Sequence, residues 1–363
     1  MKFATQKKTL LATLHKAASV TEHKNTLPIL AAAKLETLSN DLVVQAYDLE
    51  VAYTGAVSGE TTKEGKVAVN AKALVAIVGS LPEGKVELAV EKTKLVVRSG
   101  DIEFKLATLP VEEYPAVPEP KDGVTFPVKT EALRATFERV AYAVSFDETR
   151  YTINGTFLEA SSGALKATTT DGHRLAQHVV EVARAEDTGG GVIVSRKTAA
   201  VLLKALDGKT EAWDLTVSEN TINICSESEH IQARLIDGQF PQYEAVIPKT
   251  EGPGASFDRK ALLAVMGRMK IVNESVDFRV EDGRMTLSTI DPFDGATATE
   301  WFPVTPEVTK CKFRLNGAYL RETLGSWTCD HVTVHLPADD LTPILVVNGE
   351  DAKAFCVIMP MRS

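Results

Sequence analysis

Thr170-Asp171-Gly172-His173-Arg174-Leu175 is the segment of this chain whose side chains most resemble an active site. A histidine two residues from an aspartate could act as a base and its orienter, with Ser195 as nucleophile. A turn between two strands is the simpler reading, because Asp and Gly are ordinary turn residues. Asp48 and Asp291 hold equivalent places with no histidine beside them. Seven histidines are dispersed without HxH or HExxH spacing, so no metal site is implied. Ser80-Leu81-Pro82-Glu83-Gly84-Lys85 carries a Gly-Lys pair but no Walker spacing. No dinucleotide fingerprint occurs, and no cofactor follows from these residues.

The cations point elsewhere. The net charge of −9 argues against a nucleic-acid partner, yet for DNA the placement of cations matters more than their sum. Predicted helices carry Lys7, Lys8, Lys16, Lys72, Arg134, Arg139, Arg196, Lys197, Lys204, Arg268, Lys270 and Arg321. Acids crowd strands and loops, as in Glu227-Ser228-Glu229. If the helices share one face, the acidic total hides a basic surface that would hold phosphates without reading bases. Ordinary solvated helix faces would give the same pattern. The ending Val357-Ile358-Met359-Pro360-Met361-Arg362-Ser363 is unusually apolar for a terminus. It fits a final core strand whose last residues border a pocket, where methionines adapt to varied peptides.

These residues must be positioned by a repeat of roughly 120 residues. Asn70, Ser195 and Asn316 each precede an apolar helical run and are 125 and 121 residues apart. Each is an N-cap type. Asp48, Asp171 and Asp291 are 123 and 120 residues apart and mark an acidic turn in each copy. Phe3, Phe126 and Phe257 each precede an amphipathic helix. The second of these is expected to run through Leu133, Phe137, Val140 and Val144, at helical steps of three and four. Each copy reads as strand, helix, strands, helix, strands. Short connections favour antiparallel hairpins, so the fold class is α+β, with two helices on antiparallel sheet in each copy. Proline-rich linkers near 115–122 and 248–254 set domains at 1–121, 122–249 and 250–363. Repeats joined head to tail can close into a ring.

Length agrees with several domains. No apolar run approaches a membrane span of roughly 20 residues. Four scattered cysteines suit a reduced, cytoplasmic setting.

The chain resembles the bacterial DNA polymerase III beta subunit family, the sliding clamps, over its whole length. The motifs that carry the resemblance are Thr26-Leu27-Pro28-Ile29-Leu30, Val97-Arg98-Ser99-Gly100, Thr108-Leu109-Pro110, Arg150-Tyr151, Asn154-Gly155, Thr170 to Leu175, Asp237-Gly238-Gln239-Phe240-Pro241 and the tail. The resemblance implies a non-catalytic processivity factor, built as a head-to-tail homodimer of three-domain chains. Such a ring would encircle double-stranded DNA without sequence preference. It implies DNA contacts at Lys24, Lys72, Arg150, Tyr151, Arg196 and Lys197. It implies a pocket for short apolar peptides at Ile153, Thr170, Gly172, His173, Arg174, Leu175, Pro241, Val246, Val357, Met359, Pro360, Met361 and Arg362. Its occupants would come from the replicative polymerase catalytic subunit, the clamp loader, and other polymerases and repair proteins. It implies a dimer contact pairing Phe104 and Leu106 with Ile271 and Val272. Ser363 stands where the family pattern has leucine.

Overall fold

The computed structural model describes residues 1–21, 27–119, 122–182, 188, 190–249, 254–304, 310–337 and 342–362. Six α-helices lie among them: α1 (Lys7–Val20), α2 (Ala71–Ser80), α3 (Thr130–Glu138), α4 (Arg196–Ala205), α5 (Arg259–Val272) and α6 (Gly317–Ser326). Small polar residues close several first turns. Asn70 Oδ1 accepts the Ala73 amide at 2.9 Å, Asp258 Oδ1 that of Ala261 at 2.7 Å, and Asn316 Oδ1 that of Ala318 at 3.0 Å. Each bond satisfies an amide that the helix leaves unpaired.

The helices bury one apolar stripe. Leu10, Leu14 and Ala17 of α1 are buried, as are Leu262, Met266 and Met269 of α5. In the third copy these side chains join Phe257, Phe278, Leu315, Leu320 and Leu324 in one core. The helix after Phe126 is shorter than its apolar spacing predicts. α3 stops at Glu138, and Ala141–Ala143 forms a separate 3-10 turn. The Val140 amide donates to Phe137 O, three residues back, and Val140 O accepts Thr169 Oγ1 at 2.6 Å. Val140 O also accepts the Ala143 amide at 3.1 Å, so from Val140 onward the ladder tightens from four-residue to three-residue steps. Val140 and Val144 are still buried, which is why the sequence reads them as one face.

The chain divides into two compact units. One is built mainly from Met1–Glu131 and Lys197–Leu235, the other mainly from Ala132–Val182 and Ile236–Ser363. In the first, antiparallel strands follow the order Gly65–Asn70, Ala32–Leu38, Asp41–Tyr47, Val51–Ser58, Glu229–Ile236, Thr221–Cys225, Ala212–Val217 and Val124–Lys129. Its second sheet runs Glu60–Lys63, Lys2–Gln6, Lys85–Glu91, Lys94–Ser99 and Ile102–Ala107. In the second unit one sheet contains Ala255–Asp258, His331–His335, Ile344–Asn348, Ala354–Ile358, Arg174–Glu181, Ala164–Thr170 and Gly155–Ser161. The other runs Thr297–Pro303, Arg284–Ile290, Ser275–Glu281 and Cys311–Asn316.

Each unit therefore contains a seam between successive repeats. Val51–Ser58 pairs with Glu229–Ile236, with Ala52 opposite Gln232. Arg174–Glu181 pairs with Ala354–Ile358, with Leu175 opposite Val357. A backbone ladder bonds strands from different repeats as it bonds strands within one. The two units accordingly cut across the middle repeat.

Candidate functional site

The turn at Asp171 is held by its own carboxylate. Asp171 Oδ1 accepts the amides of His173 at 2.9 Å and Arg174 at 3.1 Å, and Oδ2 accepts Arg174 Nε at 3.0 Å. Asp48 Oδ1 does the same for Glu50 and Val51, at 3.0 and 2.7 Å. Asp291 Oδ1 does it for Phe293 and Asp294, at 2.7 and 3.2 Å. One side-chain-locked turn thus recurs in each repeat. The His173 ring makes no hydrogen bond to the Asp171 carboxylate. It stacks on Tyr319, with centroids 6.2 Å apart. The base-and-orienter geometry that the residue types suggest is not formed.

Gly172 has φ +91°, which suits glycine. An added Cβ would lie 2.8 Å from Arg150 Nη2. That space lets Arg150 Nη1 donate to the Asp171 carbonyl at 3.0 Å. The Arg174 side chain is only 7% exposed. Its Nη2 donates to Tyr142 O at 2.6 Å, and its guanidinium lies 4.7 Å from the Tyr319 ring centroid. Nη1 is 2.7 Å from Glu322 Oε2, though without hydrogen-bond alignment. Burial works against this charge, but Glu322 and Asp171 outweigh it and hold the Arg174 pKa above its ordinary value.

The tail reaches this turn through the seam. Past Ile358 the Met359 amide donates to His173 O at 2.9 Å, and the Met361 amide donates to Arg314 O at 2.8 Å. Beside the seam Leu175, Tyr243, Leu345 and Val357 form a small apolar cluster. Phe157 and Phe240 stack against it, 4.7 Å apart. Tyr243 Oη donates to Glu159 Oε2 at 2.7 Å. Burial, then this hydrogen bond, pushes the Tyr243 pKa up to about 12.

These elements enclose a cavity of about 200 Å³. Of the residues the resemblance assigns to a peptide pocket, Ile153, Thr170, Gly172, Arg174, Leu175, Pro241, Val246, Val357 and Met359 line it. His173, Pro360, Met361 and Arg362 do not. His173 faces Tyr319, Pro360 is half-buried, and Met361 and Arg362 are exposed. Arg150, Gln242 and Tyr243 line the cavity although the sequence did not assign them there. Tyr243 and Gln242 follow directly on Phe240-Pro241, and their place at the cavity depends on the strand pairing of Leu175 with Val357. The cavity has an apolar floor with a polar rim, the form of a ligand site.

The cations divide into two sets. Arg268 pairs bidentately with Glu300, and Arg321 with Glu274. Arg139 pairs with Asp351, Arg134 with Glu138 and Lys197 with Asp48. Lys16 joins Glu229 at 2.8 Å and Asp207 at 3.1 Å, and Lys7 donates to Leu81 O at 2.5 Å. Lys8, Lys204 and Lys270 are exposed and form no ion pair with a described residue. The helical cations are thus largely answered by acids, and the basic face read from the sequence is thinner than its count of cations. Lys72 is half-buried in the first turn of α2, Arg150 and Tyr151 are exposed, and Arg196 is exposed at the start of α4. Lys24 and Ser363 lie outside the described residues. Phe104 is exposed, Leu106 is buried, Ile271 is 83% exposed and Val272 is half-buried.

Among the described residues no group of His, Cys, Asp and Glu could hold a metal ion, and no helix is long and apolar enough to cross a membrane. Repeated helix pairs on antiparallel sheets, joined by ladder seams, one of which borders the cavity, define a clamp-type α+β protein. Residues 1–118 match the family model of the DNA polymerase III beta subunit N-terminal domain, and residues 127–242 that of its central domain. The beta sliding clamp of Pseudomonas putida is 30% identical over 368 residues, covering all of both chains. A sliding clamp from Pseudomonas aeruginosa bound to griselimycin superposes with TM-score 0.93 at 29% identity, covering all of both chains. The DNA polymerase III beta subunit of Thermotoga maritima has the same fold, with TM-score 0.93 at 24% identity over all of this chain and 99% of its own. The chain belongs to the bacterial DNA polymerase III beta subunit family and is a sliding clamp that serves processivity in DNA replication.

Proposed function

We propose that two copies of this chain close head to tail into a ring of six repeats, with domains at 1–121, 122–249 and 250–363, through which duplex DNA passes unread. The observation that carries this reading is the repeated seam. In both seams the strand after the Asp turn pairs with the last strand of the next repeat. The third repeat has such a strand, Thr297–Pro303, at the edge of its sheet. The first repeat has such a last strand, Ile102–Ala107, also at an edge. Open edges template strand addition. A third seam between two chains satisfies both.

The register follows by analogy. Thr297 faces Ile290 across its hairpin as Ala52 faces Tyr47 and Leu175 faces Thr170. Lys94 faces Ala107 as Thr221 faces Arg234. Lys105 then takes the place of Gln232, and Thr297 of one chain falls opposite Lys105 of the other. Phe104 and Leu106 lie on the strand so paired, and Ile271 and Val272 supply the apolar contact beside it.

The protein works as a non-catalytic tether, and the Asp171 carboxylate serves its own turn by accepting the His173 and Arg174 amides. Lys72, Arg150, Tyr151, Arg196, Lys197 and Lys24 hold the DNA backbone diffusely, which permits sliding. The cavity beside Leu175 and Val357 receives apolar peptides of the replicative polymerase, the clamp loader and repair proteins in the cytoplasm. His173, Pro360, Met361 and Arg362 form the outer lip of that site. Sedimentation with nicked circular plasmid and the clamp loader tests the ring: the protein co-sediments with circles and is lost on linearisation. Retention that survives linearisation overturns encirclement.

A further inference from the structure

Phe146 is 75% exposed, an unusual position for a phenylalanine in an ordered loop. The Arg196 guanidinium lies 4.2 Å from its ring centroid. Tyr151, 58% exposed, closes the same loop. The loop is held from inside. Ser145 is buried and its amide donates to Ile153 O at 3.2 Å. Asp147 Oδ1 accepts the Thr149 hydroxyl at 2.6 Å and the Thr149 amide at 3.0 Å. These two bonds, then the Arg150 charge, draw the Asp147 pKa below its usual value. The Arg196 amide donates to Asn154 O at 3.3 Å, which fixes Arg196 beside the end of the loop. The aromatic rings are therefore presented by a fixed backbone.

We propose that Phe146, with Arg196, is a stacking site for unpaired nucleobases of single-stranded DNA. The proposal rests on the clamp reading and adds a ligand state to its DNA-facing loop. A phenyl ring has no use for a duplex phosphate backbone, whereas every unpaired base offers a π-face that aromatic rings and guanidinium planes can cover. Charge supports stacking over phosphate attraction. The loop carries Asp147 and Glu148 beside Arg150, so its own residues add little net charge to the attraction of phosphates.

The test uses the full-length protein, a single-stranded oligonucleotide containing 2-aminopurine, and a duplex of equal length. Wild type binds the single strand with a change in 2-aminopurine emission that reports stacking. Phe146→Ala and Phe146→Leu each lower single-strand affinity about tenfold and abolish the emission change. Phe146→Trp restores both, and the salt dependence of the residual binding is unaltered. Duplex affinity and retention on nicked circular plasmid stay at the wild-type level. Absence of single-strand binding by wild type overturns the proposal, as does equal affinity of wild type and Phe146→Leu. Equal loss on duplex overturns it as well. Failure of wild type to be retained on circular plasmid would instead strike the clamp reading.

Discussion

At the scale of single residues, the chain is most legible where a side chain acts on its own backbone. The caps at Asn70 and Asn316 and the turns at Asp48, Asp171 and Asp291 use bonds that span two or three residues, so sequence spacing exposes them. The same locality exposes a strain. Leu49 follows Asp48 in the place Gly172 takes after Asp171, and its φ is +80°. A leucine held there costs about 1–2 kcal/mol relative to glycine. Leu49→Gly is expected to raise stability by up to about 1 kcal/mol, read as a higher urea midpoint with unchanged slope. Cation partners are not legible, because Arg268–Glu300 and Lys16–Glu229 join residues far apart in the chain. His178 is another such case. It is buried, with Nε2 2.9 Å from Arg139 Nη1 and 3.1 Å from Asp351 Oδ2. Burial, then the Arg139 charge, lowers its pKa from the ordinary 6.5, although Asp351 pulls the other way. Above pH 6.5 folded and unfolded chains both hold it neutral, and its contribution to stability is constant. As pH falls through 6.5 the unfolded chain gains a proton that the folded chain refuses, so stability declines. Denaturant melts between pH 7.5 and 5.5 should show this decline, and His178→Gln should flatten it.

Elements carry a different kind of information. The order strand, helix, strands, helix, strands follows from hydrophobic period, and the apolar stripes of α1 and α5 match it. The end of α3 does not follow, because Val140 and Val144 keep helical spacing while the backbone tightens to three-residue turns from Val140 onward. The pocket was half legible for a related reason. Thr170 to Leu175 and the tail stand out as motifs, but Tyr243 and Gln242 enter only once strand pairing brings Leu175 beside Val357. That pairing makes the tail separable from the fold. Ala354–Ile358 completes the seam, whereas Met359 onward attaches to it by the His173 and Arg314 carbonyls. A chain ending at Ile358 is therefore expected to melt within a few degrees of the full chain. It should bind a fluorescent apolar clamp-binding peptide more than tenfold more weakly in anisotropy titrations, a loss of over about 1.4 kcal/mol. Equal peptide affinity would mean that the cavity works without its methionine lip.

For the molecule as a whole, three copies of one unit present two seams and leave two strands of the seam type, Ile102–Ala107 and Thr297–Pro303, at sheet edges, and the proposed assembly pairs those two. On that proposal the third seam takes the register of the two intrachain seams: antiparallel strands, Thr297 opposite Lys105, and the next pairs Ala298–Phe104 and Thr299–Glu103. Opposed Cα atoms in such a ladder lie about 4.5–5.5 Å apart, within the reach of a disulfide. The double variant Glu103→Cys with Thr299→Cys should therefore form interchain crosslinks under mild oxidation, seen as a doubled mass on denaturing gels. Moving one cysteine by a single residue, to Phe104→Cys with Thr299→Cys, turns the side chains to opposite faces and should abolish the product. Burying the exposed Ile271 against a neighbour predicts in turn that Ile271→Asp shifts sedimentation from dimer to monomer, since an unpaired carboxylate in an apolar contact is strongly disfavoured. The Ile271→Asp monomer should keep its melting behaviour and peptide binding, because the cavity is complete within one chain, yet it should no longer be retained on circular DNA. A variant that loses retention while remaining dimeric would place the defect in DNA contact and leave the third seam intact.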